Sequence, residues 1–485
     1  GDIFLTGVAG AGRSGALNID AVYTTGDVTL RAADFIGEYN NDDRADVTAR
    51  NLVINAGSVG QLANYLDIEM ASEGLLNAAA SDSLFLRELT GNMNVGLVTA
   101  DSGSVGLMAE GSILDNPADA DADVIAGDYI YLTAQNGTIG TADVYLGIEN
   151  GKLNASAYSD VYVKEISGDL NLYLVSSQNG TIYLYSPGSI LNCNPGGVNL
   201  TGSKARLKAV GSIGRLAAPL TGSLNFFEAM AETGGVWLDN KRSLTIGGVD
   251  DTVGVSAYGP IGISTEHGLI ISEDIISQTG SVTLTALDSA GAGDDLTIND
   301  GIQVSSLASS VILRAGDALL IPQGALINAF DEINIFVDNG NADAGSGGSA
   351  EIYGEILVPH LTIDGNSDND TILIDTRDAL PDTVISGGAG DDLITLNNLA
   401  AILSRYNNSR SKVSLDGEEG GDHYVINLSG AVDYLVSVDD SGLSGEDTLT
   451  LNGTPDNDQI LIRKYFIALI NEGADCNGDG YDDTE

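Results

Sequence analysis

The chain has 485 residues, with 69 Asp and Glu against 20 Lys and Arg, giving a net charge of −49. A surface of that sign repels nucleic acid and anionic membranes, so cations are its natural partners. Its 62 glycines follow no Gly-X-Y period, which excludes collagen, and 43% hydrophobic residues in strand-like alternation argue against a disordered acidic tail.

Two cysteines, Cys193 and Cys476, are too few to staple a chain of this length, and the sequence leaves open whether they pair. No apolar run is long enough to span a bilayer, so no membrane insertion is expected. The first seven residues, Gly-Asp-Ile-Phe-Leu-Thr-Gly, already read as a strand in mid-pattern. The expectation is a chain that begins inside a processed or larger protein.

From residue 1 to 358 one short unit keeps returning: a glycine, then alternating apolar positions, then another glycine. It stands at 26–32 as Gly-Asp-Val-Thr-Leu-Arg-Ala, at 127–134 as Gly-Asp-Tyr-Ile-Tyr-Leu-Thr-Ala, and at 280–286 as Gly-Ser-Val-Thr-Leu-Thr-Ala. At 180–192 the unit is longest, with Ile182 and Leu184 on one face and Thr181, Tyr183 and Tyr185 on the other. Val105 stands to Ile113 as Ile182 stands to Ile190, which makes this an internal repeat. Short strands, a sequence-level repeat and no dominant Asn-Gly hairpin pattern favour a solenoid over a sandwich or barrel. The fold expected is all-β, a parallel β-helix whose coils of roughly 20 to 25 residues stack inward-facing Val, Ile, Leu and Ala into ladders. Val28 and Leu30, Val105 and Leu107, Ile182 and Leu184, and Val282 and Leu284 are the pairs expected to point inward.

Interruptions at 115–123 and 338–348, rich in Asp, Asn and Gly, read as surface excursions, and 407–412 as a locally basic one. Tyrosines concentrated between Tyr129 and Tyr185 at outward positions read as cross-strand aromatic pairs that stabilise the sheet. A stacked set of this kind could also bind a surface glycan or a second copy of the chain.

The Gly-Ser/Asp-Val-x-Leu-x-Ala pattern resembles the repeat region of large secreted β-helical exoproteins of the filamentous haemagglutinin type. That resemblance covers most of residues 1–358 and implies an extracellular adhesin or surface fibre.

Residues 387–395, Gly-Gly-Ala-Gly-Asp-Asp-Leu-Ile-Thr, match every fixed position of the calcium-binding nonapeptide Gly-Gly-x-Gly-x-Asp-x-U-x. Segments starting at Gly365, Gly417, Gly442 and Gly453 share its register, with Asp sixth (Asp370, Asp392, Asp422, Asp447, Asp458) and an apolar or aromatic residue eighth. Calcium takes six to eight oxygens; a glycine turn would expose carbonyls, here those of Gly387 and Ala389, while the sixth-position carboxylate reaches across the corner. The eighth residue would anchor the next strand in the core. These segments resemble the repeats-in-toxin family of secreted proteins. Only Gly387 is followed by a second glycine, Asp368 and Asp456 replace the fourth-position glycine, and the repeats are not consecutive. The expectation is therefore acidic corners on a wider coil, with full calcium sites at some of them.

Near the end, Asp475, Asn477 and Asp479 occupy positions 1, 3 and 5 of a loop with Gly480 at position 6, similar to an EF-hand or dockerin-type calcium loop. Position 12 would fall beyond residue 485. The organisation expected is a β-helical rod over 1–358, a calcium-binding β-helix or β-roll over 359–470, and the truncated acidic loop over 471–485.

β-Helices also carry polysaccharide lyases, hydrolases and epimerases, and some secreted alginate epimerases join a β-helix to calcium nonapeptides. Such enzymes need clustered Asp, His, Lys or Arg. Here His267, His360 and His423 are scattered, the Val-Pro-His at 358–360 lacks the acid of the epimerase signature, and no nucleophile elbow, zinc motif or phosphate loop occurs. The reading is an extracellular structural or adhesive protein with no catalysis, stabilised by calcium; the alternative is a secreted β-helical lyase or epimerase.

Overall fold

The computed structural model describes residues 1–10, 15–116, 121–250, 253–376, 380–397, 412–428, 435–455, 458–463 and 466–470. Among them are strands and no helix, and the chain is a parallel β-solenoid, as the repeat requires. It divides into two compact units, Gly1–Leu238 and Asp239–Glu485.

In the first unit, alternation places the same kind of residue in the same place on successive coils. Leu5, Leu30, Ile54, Ala78, Val98, Val124 and Ile148 stand in one parallel register. Parallel strands lie about 4.8 Å apart, so each such residue covers the one before it. Val28, Leu30, Val105, Leu107, Ile182 and Leu184 are all buried inward, as is the pair Val282 and Leu284 of the second unit. On the outer face Tyr162 stands in register with Tyr183, ring centroids 4.6 Å apart and planes within 4° of parallel. Lys152 lies 4.5 Å from the Tyr129 ring centroid. These are the cross-strand aromatic contacts expected of that stretch.

Among the described residues the second unit has three stacks. One runs Leu244, Leu269, Leu296, Leu319, Ala350, Ile372, Ile394, Tyr424, Leu449. Another runs Ile263, Leu284, Leu313, Ile335, Ile363, Ile385, Leu415, Val438. The third, Ile275, Val304, Ile327 and Ile356, ends among the described residues at the strand Glu355–Leu357. Among the described residues, each coil from His360–Asp364 to Thr448–Asn452 shows two strands. After Thr448–Asn452 the pairing changes: Gln459–Arg463 and Phe466–Ile470 form an antiparallel hairpin.

The two acidic excursions are not simply surface. Asp338 is only 1% exposed and Asp123 only 3%. Asp123 Oδ2 accepts from Gly147 N–H of the next coil at 2.6 Å. A loop pushed out of a coil must still satisfy the backbone beside it, and here Asp supplies the acceptor. Asp119 and most of the basic stretch at 407–412 lie outside the described residues.

Candidate metal centre

The sixth-position carboxylates form a ladder along one corner of the second unit. Gly348 N–H donates to Asp370 Oδ1 at 2.5 Å, Asp370 N–H to Asp392 Oδ1 at 2.8 Å, Asp392 N–H to Asp422 Oδ1 at 2.9 Å, and Asp422 N–H to Asp447 Oδ1 at 3.1 Å. The last three steps join residues 22, 30 and 25 apart, one coil each. The four nonapeptides starting at Gly365, Gly387, Gly417 and Gly442 thus become consecutive in space, because each lies at the same corner of its own coil. The ladder also reaches back before the first nonapeptide, where Asp294 N–H donates to Asp317 Oδ2 at 2.9 Å.

These bonds run opposite to those at Asp160 and Asp169 of the first unit. There Thr181 N–H donates back to Asp160 Oδ1 and Ser189 N–H back to Asp169 Oδ1, both at 2.7 Å, so the later coil donates to the earlier. In the acidic ladder the carboxylate belongs to the later coil and points toward the earlier one.

One oxygen of each carboxylate is spent in this way, and the other is not. Oδ2 of Asp370, Asp392 and Asp422 is buried with no hydrogen-bond partner, in residues exposed by only 1–2%. Each Oδ2 lies against the first glycine of its own nonapeptide. A Cβ at Gly365 would meet Asp370 Oδ2 at 2.5 Å, and one at Gly387 would meet Asp392 Oδ2, with the Gly417 carbonyl oxygen 2.8 Å away. The pairing of glycine first with aspartate sixth is therefore steric. Carboxylate and carbonyl oxygens converge where a side chain would otherwise stand.

The glycines do not make the turn expected at Gly387 and Ala389. Both belong to the strand Asp382–Ala389, and the chain bends at 390–391. What the second and fourth positions share is a left-handed backbone: φ is 106° at Gly388 and 142° at Gly390, and 75° at Asn366 and 66° at Asp368. Asp368 thus keeps the corner without glycine, since Asp and Asn tolerate that region better than most residues. Anchoring by the eighth residue holds for Ile372, Ile394 and Tyr424, each at most 1% exposed, and fails for Leu449 and Ile460, 46% and 44% exposed. Asp458 closes its own loop, accepting from Thr454 N–H at 2.7 Å and Thr454 Oγ1 at 2.6 Å. Asp456, Asp475, Asn477 and Asp479 lie outside the described residues.

Asp422 and Asp447 meet a third carboxylate that the sequence pattern did not single out. Oxygens of Asp422, Asp440 and Asp447 all lie within 4.8 Å of one another. Asp440 is placed from two sides: its Oδ2 accepts from the Tyr424 hydroxyl at 2.7 Å and its Oδ1 from Gly442 N–H at 3.1 Å. Tyr424 is the eighth residue of its nonapeptide, so the core anchor also orients the site. The only cue in the sequence was an Asp two places before Gly442, a position the nonapeptide leaves unspecified.

Electrostatics follow the burial. Burial pushes the Asp370 carboxyl up to about 8, against the Gly348 N–H bond that lowers it, with Asp392, Asp338 and Asp368 adding repulsion. Asp392 is pushed up to about 6 by burial, opposed by the Asp370 N–H bond, with Asp422 adding most of the repulsion. Asp422 is raised by burial and by Asp440 and Asp447. Such a row favours either protons or cations, and an all-oxygen donor set of carboxylates and carbonyls suits a hard ion such as calcium.

A separate cavity of about 280 Å³ lies in the first unit, lined in part by Asp43, Tyr65, Asp67 and Arg87. The guanidinium is held inside it, Nε donating to Asp67 Oδ1 at 2.7 Å and an Nη to Asp43 Oδ1 at 3.1 Å. The histidines sit in separate coils: His360 in register with Asp382, His423 with Thr448, and His267 with its Nδ1 3.4 Å from Asp294 Oδ1.

Comparison with protein-family models, with curated proteins and with solved structures finds no match to this chain. Fold and corner together define its class, a β-helical protein of the parallel solenoid type.

Proposed function

We propose that this chain is a non-catalytic, calcium-stabilised β-solenoid that works outside the cell as the structural or adhesive part of a surface fibre, filament or matrix. The observation that carries this reading is the corner ladder with its row of buried, unpartnered carboxylate oxygens. Carboxylates about 5 Å apart where solvent is limited repel by several kcal/mol, and an intervening divalent cation turns that repulsion into a cross-link between coils. Extracellular fluid supplies calcium at the level that moderate sites of this kind require.

A lyase or epimerase acting on polyuronates needs free cationic groups to hold its substrate. The cavity beside Arg87 is the natural place for one, yet that guanidinium is already matched by Asp67 and Asp43. The charge of the chain points the same way.

Limited proteolysis in calcium and in chelator tests the calcium part. Cleavage in chelator is expected to begin at the corners between residues 365 and 452; even cleavage along the chain, or none of this difference, would sink it. Negative-stain images of natural material test the fibre part, with isolated globules counting against it. Release of unsaturated oligosaccharides from polyuronates, lost on a single Asp→Ala change, would establish the enzyme instead.

A further inference from the structure

A second acidic centre lies outside every nonapeptide. Oxygens of Asp288, Asp338 and Asp343 all lie within 4.8 Å of one another, although the three residues come from two different coils. Two oxygens bound to one calcium ion at 2.3–2.6 Å can be at most about 5 Å apart, so this spread is that of a single coordination sphere.

The cluster is built rather than incidental. Asp288 Oδ2 accepts from Ala342 N–H, and Asp338 Oδ2 accepts from Ser367 Oγ at 3.1 Å. Ser367 is itself held by Asn341 Nδ2 at 2.6 Å. These bonds fix both carboxylates by one oxygen, as outer partners fix metal ligands. That leaves Oδ1 of Asp288, Asp338 and Asp343, all three buried and without a hydrogen-bond partner. Asp338 is 1% exposed and takes a left-handed backbone, φ 47°, that turns its side chain under the loop. A buried carboxylate oxygen with no donor is costly, and three together cost more than their sum because they repel.

The nearby charges make the deficit worse. Asp288 is raised by burial and by Asp343, Asp317 and Asp294; Asp338 is pushed up to about 6 by burial, with Asp368, Asp288 and Asp343 adding. Gly340 lies directly over Asp288, where a Cβ would come within 2.8 Å of the Asp288 Cβ. The loop at 338–348 is thereby drawn down onto the cluster.

We infer that Asp288, Asp338 and Asp343 form a calcium site that ties the loop at 338–348 to the coil carrying Asp288, with water or loop carbonyls completing the oxygen shell. Its three carboxylates lie outside the nonapeptides, although Ser367, which holds Asp338, is the third residue of the first one. It places a calcium-dependent clasp at the start of the acidic ladder, before Asp370.

Hydrogen exchange on the full chain, read by peptide in calcium and in chelator, separates the two. Calcium is expected to slow exchange at least tenfold in residues 339–348, and Asp343→Asn is expected to abolish that protection while leaving the calcium effect at 387–395 in place. Equilibrium dialysis of the same variant is expected to show one bound calcium fewer per chain. Asp338→Asn serves as the second variant and should give the same two results. No calcium effect on 339–348 in the wild type, or protection and stoichiometry unchanged in both variants, overturns the site. Loss of the effect at 387–395 alone bears on the corner ladder and not on this centre.

Discussion

Asp392 is bonded to the coils on both sides of it by atoms of the same residue: its Oδ1 accepts from Asp370 N–H at 2.8 Å and its own N–H donates to Asp422 Oδ1 at 2.9 Å. Removing the side chain breaks the first bond and leaves Asp370 N–H buried without an acceptor. Asp392→Ala should therefore cost about 1–3 kcal/mol even in chelator, as measured by urea unfolding.

Asp392→Asn separates charge from shape. The amide keeps the Oδ1 acceptor and places an NH2 group at Oδ2, against Gly387. In chelator at pH 8 the melting temperature should rise relative to wild type, because a repelling carboxylate is gone. In calcium it should fall below wild type. The same sign in both conditions would show that no cation is shared at this corner.

The raised carboxyls set a pH dependence. Asp370 at about 8 and Asp392 at about 6 in the folded chain, against about 3.9 unfolded, take up protons on folding. Their contribution to the stability of calcium-free protein is thus complete below about pH 4 and is lost as pH rises through 6 to 8. Calcium must displace those protons, so its apparent affinity should climb across that window and level off above it. Calorimetry in two buffers of different ionisation enthalpy would detect proton release at pH 6 and little at pH 9.

Two residues that occupy the same place in the nonapeptide should behave differently. Ile394 is 1% exposed and Leu449 46%. Ile394→Ala should cost about 2–5 kcal/mol in denaturant unfolding. Leu449→Ala should cost well under half as much.

Gly387→Ala tests the steric pairing. Its methyl would run into Asp392 Oδ2, so the variant should lose most of the calcium-dependent gain in melting temperature, whereas Gly301→Ala, where no atom lies within 4 Å, should keep it. Gly301 has φ 78°, so its own backbone strain lowers stability with and without calcium alike.

The inward faces were legible in the sequence because a period of two admits only two assignments, and Val28, Val105, Ile182 and Val282 fix which one. Asp370, Asp392, Asp422 and Asp447 were legible as one per coil, since each carries its own glycine and an apolar or aromatic residue two places on. Asp440, Asp288, Asp338 and Asp343 were not. Their neighbours come from other coils at distances set by coil length, which no local spacing encodes. Nor did the residue types reveal that Gly387 and Ala389 continue a strand: glycine there answers to the oxygen packed against it, which is a tertiary cause.

The unequal coils of the second unit also set how it would yield to force. The core strands of the second unit pair with those of adjacent coils, so a chain drawn from its C-terminal end peels away coil by coil instead of rupturing at once. Steps of 22, 25 and 30 residues would release contour lengths of about 7 to 10 nm at full extension. An optical-trap record would then read the corner spacing as a ruler, with the rupture force of each tooth rising where a cation bridges the coil being removed.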